Sequence, residues 1–117
     1  MLFGLIPPGF HPLNTQPAFE QYYRTRKMYS LLVDVRTTAE FKTAHLNNAL
    51  NLPMNPAFTK QILDKLNEFN APGDVLLFVY GGNGKWLDEL KQQVQKNWAF
   101  RRRINAVYYL SIPYKAS

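Results

Sequence analysis

The sequence contains no cysteine. That absence excludes disulfides, thiolate metal sites and cysteine nucleophiles together. Histidine is scarce as well: His11 and His45 are the two present. No acidic cluster stands close to either in sequence, so no metal site of familiar spacing is expected, and no cofactor is implied. Long apolar runs are missing too. No stretch approaches the roughly 20 apolar residues that a membrane helix needs. The opening segment MLFGLIPPGF is apolar only as far as Pro7 and Pro8 and has no basic leader. It reads as a poor signal peptide, and a cytoplasmic chain is expected. Internal repeats and low-complexity segments are also lacking.

Acidic residues are few, with 8 Asp and Glu against 14 Lys and Arg, for a formal net charge of +6. That balance favours solubility and weak attraction to polyanions without defining a function. The 117 residues suit one compact domain, and 46 % are hydrophobic, enough to bury a core. The charged fraction is too low, and the aromatic fraction too high, for a disordered chain.

Residues 1 to 16 are rich in proline and glycine and read as an irregular arm; 17 to 117 read as the domain. Pro17 suits the first turn of a helix, where its missing N–H costs nothing. Phe19, Tyr22 and Tyr23 share one face of that helix, and Arg24, Arg26 and Lys27 crowd its end. Leu31 to Val35 is a buried strand by its apolar, β-branched run. Thr37 and Glu40 have capping-box spacing, which predicts a short helix ending near His45. Ala49 to Leu52 reads as a short strand stopped by Pro53.

Asn55 and Pro56 open the clearest amphipathic helix, with Phe58, Ile62, Leu63, Leu66 and Phe69 on one face. Val75 to Tyr80, the run VLLFVY, fits a central parallel strand covered on both sides. Gly81-Gly82-Asn83-Gly84 is a tight loop. A helix is expected from Lys85 to about Ala99, with Trp86, Leu90, Val94 and Trp98 as its inward candidates. Arg101 to Arg103 read as a basic break before a last strand, Ala106 to Leu110. Strands alternate with helices throughout. That order predicts a three-layer α/β/α domain with a mostly parallel sheet of about five strands.

Two segments carry a family resemblance. Residues 31 to 54, LLVDVRTTAEFKTAHLNNALNLPM, hold Asp34-Val35-Arg36, then Glu40-Phe41, His45-Leu46, Ala49 and Asn51-Leu52-Pro53. This order resembles the leading signature of rhodanese-like domains. Asn47-Asn48 stands where that family often has Pro-Gly, a pair that can still form the turn. Residues 74 to 90, DVLLFVYGGNGKWLDEL, resemble the strand, loop and helix that present the family's catalytic cysteine. NAVYYL, 105 to 110, looks like the last strand, without the usual glycine pair after it. The resemblance spans roughly residues 17 to 112.

The resemblance implies chemistry that this chain cannot perform. The family passes sulfur through a cysteine persulfide, and the thiolate is both nucleophile and carrier. Gly81 occupies that position. Active members commonly place Arg or Lys at the end of the loop and a small hydroxyl residue next. Here Trp86 and Leu87 stand there, and Lys85 is one position early. The related phosphatases and arsenate reductases need the same cysteine. An inactive domain is therefore expected, serving as a protein-interaction or regulatory module with an unidentified protein partner.

Other readings rank below it. Gly81, Gly82, Asn83, Gly84, Lys85 and Trp86 could cradle a small anion, but glycines that merely make the turn are favoured. A P-loop is a poor match: Val79 holds the place of its first glycine, and no Ser or Thr follows Lys85. Asp34, Arg36, Glu40 and His45 read as structural members of the signature. Trp86 is weighed evenly between a partner anchor and a side chain packed on its own domain. Arg101 to Arg103, with Lys91 and Lys96, could meet RNA, DNA or a membrane surface, but a solvated helix end is favoured, since no nucleic-acid motif accompanies it.

Overall fold

A computed structural model describes residues 9–71, 73–82 and 84–115. Five strands form one sheet: β1 (Gly9–Leu13), β2 (Ser30–Asp34), β3 (Leu50–Asn51), β4 (Val75–Tyr80) and β5 (Ile104–Leu110). Their order across the sheet is β1-β5-β4-β2-β3, and every pairing is parallel. Five helices connect them: α1 (Gln16–Arg24), α2 (Thr38–Thr43), α3 (Phe58–Glu68), α4 (Trp86–Lys96) and α5 (Trp98–Arg103). A 3₁₀ turn, Lys27–Tyr29, leads into β2.

The strands alternate side chains between two apolar layers, as period-2 geometry demands. Leu31, Val33, Leu77 and Val79 face α3, α4 and α5, where Phe58, Ile62, Leu66, Leu90, Val94 and Phe100 are buried. Leu32, Phe78, Tyr80 and Leu110 face the other way, onto Phe19 of α1. The result is the expected three layers. The aromatic face foreseen for α1 closes on Phe78, whose ring meets Phe19 edge-on at 5.8 Å, Tyr23 at 5.5 Å and Tyr108 in a stack at 4.9 Å.

Four readings need correction. Residues 9–13 are not irregular: they form edge strand β1, in register with Ala106 to Leu110. Pro12 is tolerated because an edge strand bonds on one side only, and His11 stacks on Tyr108 at 5.0 Å. Residues 1–8 of the expected arm lie outside the described residues. The expected single helix 85–99 is two helices. Asn97 ends the first and caps the second by accepting the Phe100 N–H at 3.0 Å.

The arginine run is helical rather than a break. Arg101 donates to the last carbonyls of α4, Val94 and Gln95, while Arg103 donates to Gly73 and Ala71 before β4. Trp98 and Phe69 point outward, because each sits at a helix end beyond the covering layer.

On the α1 side the Phe78 ring meets those of Phe19, Tyr22, Tyr23 and Tyr108. Phe78→Ala should cost about 3–5 kcal/mol, in the range for emptying a buried aromatic site. Urea denaturation followed by tyrosine fluorescence measures it; a loss below about 1 kcal/mol would mean the layer collapses to refill the space.

Candidate functional site

In a parallel sheet the strands end on one side, and ligands of such folds gather there. Here that edge carries Asp34, Arg36, Asn51, Tyr80 and the loop from Gly81.

Asp34 closes β2 and is fully buried. A buried carboxylate must be paired and hydrogen-bonded. Arg36 supplies both: its backbone N–H donates to Asp34 Oδ1 at 2.8 Å, and its guanidinium grips both carboxylate oxygens at 2.8–3.2 Å. The remaining reach of Arg36 goes to the Ala44 carbonyl at 2.6 Å. Hydrogen bonding to Asp34 raises the guanidinium above its already high ordinary pKa, so Arg36 stays charged.

Glu40 completes the foreseen capping box. Its Oε1 accepts from the Thr37 N–H and hydroxyl, while Thr37 Oγ1 accepts the Glu40 N–H. Those bonds hold the Glu40 carboxyl below its ordinary value. His45 stacks on Phe41 with ring centroids 3.7 Å apart and places Nδ1 2.7 Å from the Phe41 carbonyl. A carbonyl only accepts, so Nδ1 carries the proton there. The four signature residues thus fasten the segment between β2 and β3. Asn48 takes a positive φ of 71°, a left-handed conformation that asparagine tolerates in turns.

The loop departs from any cradle for sulfur. Gly81 is buried, and a Cβ placed on it would lie 2.6 Å from Val35 Cγ2 and 3.1 Å from Trp86 Nε1. Trp86 leans over the glycine, edge-on to Tyr109 at 6.5 Å, half-buried against the core on that side. Gly82 lies beside the Arg36 stem, and Gly84 needs its glycine because φ is 111°. Lys85 is exposed at the N-terminus of α4 and its side chain does not cap the helix. Asn83 lies outside the described residues.

Two tyrosines complete the arrangement and were missed from the sequence. Tyr114 donates its N–H to the Gly81 carbonyl at 2.9 Å and lays its ring over the Arg36 guanidinium at 4.6 Å and against Tyr80 at 5.0 Å. Tyr80 accepts the Leu46 N–H at its hydroxyl oxygen, 3.0 Å away. The hydroxyl at the end of an otherwise apolar strand was the signal for Tyr80. Nothing in the short tail distinguished Tyr114.

The family model for the rhodanese-like domain matches residues 18–115. The chain belongs to the rhodanese-like family. This rhodanese-like domain has no cysteine, so the residue that the family's sulfurtransferases use is absent. A solved structure, an uncharacterized protein from Saccharomyces cerevisiae, shares 20 % identity over 84 % of this chain and 83 % of that one, with a TM-score of 0.50. That is a likeness of fold. No curated protein matches the chain. Among the described residues, no three His, Cys, Asp or Glu side chains gather as metal ligands, and no helix is long and apolar enough to cross a membrane.

Two measurements check this geometry. Gly81→Ala should destabilise by about 1–3 kcal/mol through overpacking. In a Val35→Ala background that added cost should shrink by about 1 kcal/mol or more, because the colliding methyl is gone. Equal costs in both backgrounds would refute the contact.

The second concerns pH. Burial pushes the Tyr80 hydroxyl well above its ordinary value of 10.0. Because the folded value is the higher one, the unfolded chain loses this proton first as pH rises. Stability is then full below pH 10 and declines above it. Tyr80→Phe should show a shallower alkaline decline, read from melting temperatures between pH 8 and pH 11. An unchanged slope would assign the alkaline loss elsewhere.

Proposed function

We propose that this chain is a non-catalytic rhodanese-like module that works by binding a protein partner. The space at Gly81 carries this reading. A site that had lost only its nucleophile would keep room for a thiol; here Val35 and Trp86 occupy that room. Meanwhile the Asp34–Arg36 pair, the Thr37–Glu40 box and the Phe41–His45 stack keep the fold in order. Retained architecture with a filled reaction centre fits a domain kept for its surface rather than for turnover. Trp86 is half-buried over the glycine, and Lys85 is the exposed charged side chain of the old loop.

The test has two arms. Sulfur transfer from thiosulfate to cyanide should be indistinguishable from the uncatalysed rate for the native chain. It should stay so for Gly81→Cys, whose new side chain enters occupied space. Robust turnover by either protein would overturn the reading. The native chain, used as bait in extracts of its source cells, should retain a specific protein. Lys85→Ala reports whether the old loop takes part; if no protein is retained under any gentle salt condition, the module reading falls.

A further inference from the structure

Four of the five exposed large apolar side chains of the described residues share one end of the sheet; the fifth, Ile112, follows β5 at the other end. Exposure is 88 % for Met28, 56 % for Tyr29, and 49 % for both Phe69 and Trp98. All four lie at the end of the sheet where strands begin. Met28 and Tyr29 immediately precede β2, Phe69 closes α3 just before the turn into β4, and Trp98 opens α5, which runs into β5. Parallel pairing puts these starts on one side, roughly 20 Å along the strands from the loop at Gly81.

Two hollows lie there, one against Phe69, Asn70 and Ala71 and the other against Gly73 and Asp74. The first, about 220 Å³, is bordered by Met28, Tyr29 and Phe69 and has no charged residue in its wall. The second, about 500 Å³ and open, lies between Trp98, Asp74 and the pair Arg102–Arg103. Arg103 joins them, donating to Gly73 and Ala71 in the segment between. Arg102 lies over the Trp98 ring at 4.8 Å.

We infer that this end of the domain is its protein-binding surface, and that it takes a segment pairing a bulky apolar side chain with carboxylates. The inference rests on the module reading above and gives it a place. A methionine that is almost wholly in water is an adaptable contact surface rather than core. Tryptophan and arginine are the residue types that dominate binding energy when an interface covers them.

Charge selects the occupant. The second hollow carries two guanidinium groups against the one carboxylate of Asp74. The chain as a whole is +6, so a second copy approaches against repulsion while an acidic segment is attracted. The first hollow, lacking charge, has nothing for a phosphate backbone but suits a leucine or aromatic side chain.

The test is selection of random peptides of about 12 residues displayed on phage, with the full chain as target and the best binder then titrated by fluorescence anisotropy. Selected sequences should combine Leu, Phe or Trp with two or more Asp or Glu. Amide shifts on binding should centre on residues 28, 29, 69–74, 98 and 102.

Trp98→Ala should weaken the selected peptide about 30-fold, the effect of truncating a central anchor. Arg102→Glu should weaken it about tenfold and restore affinity for a version with Lys in place of Glu. Phe69→Ser provides a second, exposed substitution if Trp98→Ala lowers the melting temperature. The surface assignment is overturned if no peptide is enriched, if enriched peptides lack acidic residues, if shifts centre on residues 81–86, or if an oligonucleotide displaces the peptide with steep salt dependence.

The two readings fail separately. A cellular protein still held by the Arg102→Glu, Phe69→Ser chain would sink this surface and leave the module reading standing. Acidic peptides bound here while no cellular protein is retained would sink the module reading and leave the surface standing.

Discussion

A carboxylate with no exposed surface has to be neutralised where it stands, and Asp34 is neutralised from two residues away by Arg36. That pairing orders the whole edge of the sheet. Arg36, once fixed, reaches the Ala44 carbonyl and so sets where α2 ends. Asn51 ties β3 to the same turn by donating to the Asp34 and Arg36 carbonyls. Tyr114 then closes over the cation's other face. Breaking either partner would leave an unpaired buried charge, which is far more costly than the pair is favourable. The pair is therefore a constraint on architecture first, and only then a source of stability.

The turn after β4 is filled from the same side. Without a Cβ at residue 81, Val35 and Trp86 move in, and the strand-to-helix turn becomes an extension of the apolar layer beneath α4. Sulfur chemistry needs an open, cationic and partly hydrated cradle. A tryptophan that covers a glycine supplies none of these. The guanidinium nearest the loop is already committed to Asp34.

The sequence made the central elements legible where one physical signal dominated. VLLFVY could only be buried on both faces; Thr37 and Glu40 announced their reciprocal cap; and Asp-Val-Arg marked the end of β2. Signals failed where tertiary context outweighed local preference. Proline and glycine hid β1, whose strand character comes from pairing with β5 rather than from its own residues. A single run of helix formers concealed the cap at Asn97. At the site, the missing cysteine was readable from composition, but whether Trp86 turned in or out depended on tertiary packing, which no local pattern reports. Tyr114 gained its place through backbone contact with Gly81, a relation distant in sequence.

The placement of β1 bears on the order in which the domain can be built. Its hydrogen-bonding neighbour is β5, and the Ser111–Leu13 bond joins residues 98 positions apart. Closing such a distant pairing requires the chain's large loop entropy to be overcome before the contact gives anything back. During synthesis this strand leaves the ribosome ahead of every other element of the sheet and waits for the latest of them. The β2–β4 core can assemble in the meantime, and the edge of the sheet is sealed only when the two ends of the domain meet.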